Sequence, residues 1–280
     1  MLKLLALDMD GTLLNKNHTI SWENLKALRY ARSKGVTLAI ASGRAFFDVR
    51  HLLSESDIDM HIIGANGATI HTMDGTLLGA DYLDRSDALE RIAELTAHQF
   101  YLGVYTPHHI YVPSDGKKWL YRELHRLHMH EDRSVGFQGA SRDAFYRVFD
   151  DWREFATRGS DFYKIIVFSF DDEKLNKMRA AYEALHRYSI VSSGTGNFEI
   201  MAPNVSKGNA LYQLAGYLDI PLSDVMAVGD NYNDLSMFEV AGTAVAMGNA
   251  GEDIKRRADW VTLSCAQNGV AQAIYQGLQK

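Results

Sequence analysis

Two carboxylates one residue apart, Asp8 and Asp10, follow the apolar run 4–7 and precede Gly11 and Thr12. At i and i+2 after a strand they reach one small volume once the chain turns, and Gly11 permits the turn. One can attack an electrophile while its neighbour handles protons, which is covalent and general acid/base catalysis in one peptide. Such a pair repels itself unless a cation is present, so the spacing implies a hard divalent metal with oxygen ligands. Taken alone, the segment also reads as a plain turn with Asp at capping positions.

Three further segments carry polar groups that fit the same chemistry. In Ser42-Gly43-Arg44 a hydroxyl, backbone N–H groups and a positive helix end make an anion site, or simply an N-cap. Lys207 sits in the first turn of a helix begun by Ser206, where the macrodipole disfavours a cation unless it faces an anion. A solvated surface lysine is the alternative. In 229–234, Asp230, Asn231, Asn233 and Asp234 supply hard oxygen ligands and hydrogen-bond partners in excess of what a cap requires. Independent capping does not produce an acid pair, Ser-Gly, Lys and an acid cluster in this order, each after a strand.

The elements that must position these groups follow from periodicity. Short apolar runs alternate with helix-period segments, the pattern of a parallel sheet covered on both faces. The carboxyl ends of such strands converge on one crevice, where ligands bind. Strands are expected over 4–7, 36–41, 61–64, 225–228, 243–247 and 260–263, and helices over 22–33, 45–53, 206–218, 234–240 and 269–278. A hairpin over 68–78 turns at Asp74-Gly75. The middle of the chain, rich in Tyr, His and Arg, has expected helices at 86–100 and 172–188 and strands at 101–105, 110–112 and 163–170. It reads as an inserted α+β module. The expectation is a Rossmann-like, doubly wound α/β core from 1–83 and 194–280, interrupted by a module at 84–193.

Apolar residues make up 46% and charged residues 23% of 280, enough to bury a proper core. A net charge of −6 with no long Lys/Arg run disfavours nucleic acid. Arg122 and Arg126 near His125, His128 and His130 form a small basic stretch, offset by Glu123, Glu131 and Asp132. The single Cys265 excludes an internal disulfide and a multi-cysteine zinc site. The opening apolar run is too short for a signal-peptide core, and nothing approaches the ~20 apolar residues of a membrane span. No membrane partner is expected; the protein should be cytoplasmic, a monomer or small homo-oligomer.

With its motifs in view, the chain resembles the haloacid dehalogenase superfamily, and within it the Cof-type, sugar-phosphatase-like branch. Residues 8–14 are similar to the first motif, Ser42-Gly43-Arg44 to the second, and Lys207-Gly208 to the third. Gly229, Asp230, Asn233, Asp234 and Met237 are similar to the fourth; Asn66-Gly67-Ala68 also fits this branch. The resemblance covers 1–80 and 195–280; for the middle it rests on insertion point and length, those of a large α+β (C2-type) cap. It implies a Mg²⁺-dependent phosphatase in which Asp8 forms an aspartyl-phosphate and Asp10 is general acid, then general base. Mg²⁺ would be held by Asp8, the Asp10 carbonyl and Asp230. The phosphate would meet the Met9 amide, Ser42, the Gly43 amide, Lys207 and Asn233, with Asp234 orienting Lys207 or the metal's water. The acid at position 10 argues against the related ion-pumping ATPases, which the resemblance associates with Thr there.

The substrate implied is a small phosphorylated metabolite: a sugar phosphate, or a flavin- or pyridoxal-type cofactor precursor. A phosphomutase or phosphotransferase using the same intermediate is one alternative, and a phosphate-sensing regulator without turnover another. A cap would exclude water and select the leaving group. Its histidines (His108, His109, His125, His128, His130) have no partnering carboxylate pattern and are expected on the surface or at an interface. Tyr105, Trp119 and Tyr121 could face a substrate, although aromatic core packing is the commoner use.

Overall fold

The computed structural model describes residues 1–54, 56–129 and 145–279. In chain order the strands are β1 Leu4–Leu7, β2 Thr37–Ala41, β3 His61–Gly64, β4 Thr69–His71, β5 Leu77–Ala80, β6 Tyr101–Tyr105, β7 Ile110–Pro113, β8 Tyr146–Phe149, β9 Lys164–Phe168, β10 Ser189–Val191, β11 Asn197–Met201, β12 Val225–Gly229, β13 Thr243–Ala246 and β14 Trp260–Val261. The chain divides into two units, Met1–Ala80 with Val205–Lys280, and Asp81–Asn204.

The first unit holds the sheet β14-β13-β12-β1-β2-β3-β4-β5. It is parallel from β14 to β3, and the β4–β5 hairpin closes one edge antiparallel. Leu4–Leu7 is an unbroken apolar run because β1 is central and buried on both faces. Its alternate residues feed two cores. Leu5 and Leu7 pack with Val228 against the helices Trp22–Ser33 and Gly269–Gly277; Leu4 and Ala6 pack with Ala227 against Lys207–Tyr217 and Leu235–Val240. The chain leaves β1 toward β2 on one side and returns at β12 on the other, so the ends of β1 and β12 flank the point where winding reverses. Buried Asn24 ties down the loop after β1: its Nδ2 donates to Leu13 O at 3.4 Å and its Oδ1 accepts Ala271 N–H at 3.0 Å.

The second unit holds the sheet β10-β11-β9-β6-β7-β8, antiparallel except for β7 beside β8. Leu102, Val104, Ile165, Val167, Phe198 and Ile200 pack one face against helices Arg85–Ala97 and Asp172–Glu183. This changes the expected division of the chain. Residues 194–204, expected in the core, belong to the second unit, because β11 within them pairs with β9, Phe198 and Ile200 alternating inward opposite Val167 and Ile165. Residues 81–83 join that unit as well, Leu83 donating its N–H to Phe162 O at 2.9 Å. The helix expected over 172–188 stops at Glu183, and His186 turns the chain at φ +51°. No helix among the described residues is long and apolar enough to cross a membrane.

One buried histidine in the first unit makes stability pH-dependent. His71 on β4 is 7% exposed and stacks on Phe46 with ring centroids 3.7 Å apart. Burial, with help from the Arg50 charge, pushes its pKa from 6.5 down to about 4. The unfolded chain takes up a proton that the folded chain refuses, so stability falls as pH drops through this window. Lowering the pH from about 7.5 to about 5 should remove about 2 kcal/mol through His71 alone. Urea unfolding of wild type and His71→Phe at both pH values checks this: the variant should lose that much less. Equal losses in the two proteins would show the assignment to be wrong.

Candidate active site

Asp8 stands one residue beyond β1, and its N–H donates to Val228 O at 2.9 Å, continuing the β1–β12 ladder. The ladder therefore fixes where the carboxylate emerges. Asp8 is 5% exposed, and Lys207 Nζ donates to its Oδ1 at 2.6 Å. Lys207 is the first residue of its helix, which Ser206 caps by accepting Asn209 N–H at 3.0 Å. The ammonium is wholly buried and also donates to Asp234 Oδ1 at 2.6 Å, which answers why a cation tolerates a helix N-terminus here. A Cβ on Gly208 would lie 2.0 Å from Ser236 O, so only glycine lets this helix approach the segment that carries Asp234.

Asp234 uses both oxygens. Oδ1 takes Lys207, while Oδ2 accepts the N–H groups of Asp230 at 2.9 Å and Asn231 at 3.0 Å. Asp230 accepts Thr12 Oγ1–H at 2.8 Å through Oδ1. Gly11 has φ +83°, and a Cβ there would lie 2.5 Å from Asp230 Oδ2, so the glycine serves both the turn and the approach. Asn249 Nδ2 donates to Gly11 O at 2.8 Å across the same gap.

Oxygens of Asp8, Asp230 and Asp234 lie within 4.8 Å of one another, three carboxylates around one ammonium. Electrostatics follow from that count. Burial and the neighbouring Asp234 push the Asp8 carboxyl well above its ordinary range, against the pull of Lys207. Burial, with Asp234 adding, raises Asp230 to about 6 although the Thr12 hydrogen bond resists. Burial alone would lower the Lys207 pKa, yet the two carboxylates raise it above the ordinary lysine value. The excess of negative charge and the all-oxygen donor set of Asp8 and Asp230 fit a hard divalent cation.

Ser42 continues the β2–β3 ladder, donating its N–H to Ile63 O at 2.9 Å, and its Oγ accepts Arg44 N–H at 3.2 Å. The turn after β3 then stitches the polar segments together. Asn66 (φ +58°) donates its N–H to Ser42 O at 2.9 Å, and its Oδ1 accepts Asn233 Nδ2–H at 3.0 Å. A Cβ on Gly43 would lie 3.1 Å from Asn66 Oδ1, and one on Gly67 would lie 2.2 Å from Ser206 O. Asn233 Oδ1 is buried and accepts no hydrogen bond among the described residues. Met9 is wholly buried in the core beneath, its carbonyl accepting Leu14 N–H at 2.9 Å.

Asp8, Lys207, Asp230 and Asp234 thus meet at one point, and Asn233, Ser42 and Gly43 are joined through Asn66. The Asp10 carboxylate pairs with Arg44: Nε donates to its Oδ2 at 2.6 Å and Nη2 to its Oδ1 at 2.7 Å. Sequence reasoning gave no function to Thr12, Arg44 or Asn249. The Asn-Gly pair after a strand was a legible signal for Asn66, whereas nothing marks Asn249, 238 positions from the carbonyl it binds. In the second unit His108, His125 and His128 are exposed and, among the described residues, belong to no cluster of acidic groups; His130, Glu131 and Asp132 lie outside the described residues. Tyr105 is buried, with Lys164 Nζ 4.2 Å from its ring centre; Trp119 is half-buried and Tyr121 exposed.

Residues 5–274 match the family model described as haloacid dehalogenase-like hydrolase. The chain is 42% identical over 279 residues to the phosphatase YwpJ of Bacillus subtilis strain 168, covering 96% of this chain and 98% of that protein. It is 37% identical over 287 residues to the 5-amino-6-(5-phospho-D-ribitylamino)uracil phosphatase YwtE of the same organism, covering 98% of each. The solved structure of a haloacid dehalogenase-like hydrolase from B. subtilis superposes with a TM-score of 0.86 at 38% identity, covering 98% of this chain and 99% of that one.

Proposed function

Since the chain belongs to the haloacid dehalogenase-like hydrolase family, in its Cof-type branch, and is a phosphatase, we propose that it hydrolyses small phosphomonoesters through an aspartyl-phosphate on Asp8. The observation that carries this reading is the buried Lys207 clamped between Asp8 and Asp234. A surface ion pair would do little. A desolvated carboxylate aligned by a buried cation, beside amide and hydroxyl donors, is what transfer of a dianionic group needs.

In the first step an Asp8 oxygen attacks phosphorus. The ester P–O bond breaks with its electron pair on the leaving oxygen, which takes the proton of the Asp10 carboxyl. In the second, water gives a proton to the Asp10 carboxylate and attacks phosphorus; the Asp8–phosphorus bond breaks with its pair returning to Asp8, and inorganic phosphate leaves. Ser42, the amides of Met9 and Gly43, Lys207 and Asn233 hold the phosphoryl oxygens. Asp234 holds Lys207. Asp8, the Asp10 carbonyl and Asp230 would bind Mg²⁺, which would offset the charge of the phosphoryl group when present.

For substrate we favour a sugar phosphate or a phosphorylated cofactor precursor, with leaving-group choice assigned to residues 81–204. One relative's name specifies a phosphorylated ribitylamino compound, which supports a small polyol ester. The test is phosphate release from p-nitrophenyl phosphate and a panel of phosphorylated metabolites. EDTA should reduce the rate about 100-fold or more, and Mg²⁺ should restore it. Full activity in EDTA would refute the metal assignment.

A further inference from the structure

The proton-handling residue is held by a group that touches neither the nucleophile nor the acid cluster. Asp10 is 46% exposed at its side chain, so left to itself its carboxyl would be a free rotor at the mouth of the site. Arg44 removes that freedom with a two-pronged grip at 2.6 and 2.7 Å, one donor on each oxygen. Arg44 is itself only 8% exposed, and its backbone is pinned: its N–H donates to Ser42 Oγ and its carbonyl accepts Ala65 N–H at 2.7 Å. Its third guanidinium nitrogen in use, Nη1, donates to Asp48 Oδ2 at 2.9 Å one helical turn on. Asp48 is buried as well, and its Oδ1 accepts no hydrogen bond among the described residues, so its charge is committed to bracing Arg44. His18 Nδ1, 3.7 Å from Asp10 Oδ1, is a further basic group facing the pair and is exposed.

We propose that Arg44, braced by Asp48, is a positioning residue for proton transfer: it fixes where the Asp10 carboxyl stands while the phosphoryl group passes to Asp8. The planar fork matches a carboxylate, and an ammonium cannot reproduce it. When Asp10 carries its proton, one oxygen stays on Arg44 while the O–H turns toward the leaving oxygen. Once that proton is given up, both oxygens return to the fork, ready for the proton of the attacking water. Arg44 is thus the pivot about which one carboxyl serves two steps, without bonding to phosphate itself. The inference rests on the roles proposed above for Asp8 and Asp10.

The test compares two esters. The quantity kcat/KM reports events up to departure of the leaving group, and 2,4-dinitrophenolate departs without needing a proton whereas a sugar alkoxide does not. Arg44→Lys keeps the buried charge opposite Asp48, so the protein should fold. Its kcat/KM should fall about 100-fold for a sugar phosphate that the wild type turns over, and less than about 5-fold for 2,4-dinitrophenyl phosphate. Asp48→Asn should show the same contrast in weaker form. Equal losses on both esters, whether with a raised KM (a phosphate contact) or a lowered Tm (a structural role), overturn the proposal. Asp10→Asn run alongside separates the two levels. If Asp10→Asn shows no ester contrast, the chemical reading of Asp10 fails; if it does and Arg44→Lys does not, only the pivot fails.

Discussion

Asp8→Asn should reduce phosphate release by about four orders of magnitude or more, because it removes the proposed nucleophile and not merely a binding contact. Asparagine is the sharpest probe available, since it keeps the shape and can still accept from Lys207 Nζ through its amide oxygen. The folded protein should not suffer. Burial and Asp234 already hold the Asp8 carboxyl well above its ordinary range, so the charged form is costly to fold around. Exchanging it for a neutral amide relieves that cost, and the variant should melt no lower than wild type while being inactive. Stability and activity moving in different directions would mark a site tuned for chemistry at the expense of the fold. Acid quenching of wild type under turnover, followed by mapping of the phosphorylated residue, should find the label on Asp8. A variant that retains more than about a tenth of the activity would falsify the assignment of the nucleophile.

Lys207→Met should injure both properties together. The ammonium stands between two buried carboxylates at 2.6 Å each, and methionine replaces its length without its charge. Removing one partner of a buried ion pair costs about 3–5 kcal/mol, because the remaining charge is left uncompensated. In its proposed role at the phosphoryl group Lys207 is also a lost cation, which should lower kcat about 1,000-fold. Urea unfolding and steady-state kinetics read the two effects separately. The double variant Lys207→Met, Asp8→Asn should recover part of the lost stability, since one stranded charge is gone with the cation that balanced it. A single-variant loss below about 1 kcal/mol, or a double variant no more stable than Lys207→Met, would show that the ion pair does not hold the site together.

The parallel core was legible because its strands are buried on both faces and read as unbroken apolar runs. Leu4–Leu7 and Val225–Gly229 each sit between two neighbours, and their carboxyl ends present Asp8 and Asp230. Residue types at strand ends were legible for the same reason: the run stops where the polar group begins. The passage back into the core was not. Ser189–Val191 and Asn197–Met201 are short and antiparallel, and nothing local tells a strand of one sheet from a strand of another. Pairing partners far apart in sequence were equally hidden. Asp10 and Arg44 are each visible as polar residues after a strand, but their 34-residue separation carries no sign that one grips the other. The same holds for Asn233 and Asn66, 167 positions apart. Local spacing reports which groups reach the end of a strand, while mutual orientation is set by turns such as Ala65–Gly67.

Among the described residues, the first sheet runs from β14 to β5 without one rung supplied by 81–204. The alignment of Asp8, Ser42, Lys207 and Asp230 therefore owes nothing to the hydrogen bonding of the intervening stretch. That stretch can be altered without breaking a rung of the sheet whose register lines these groups up.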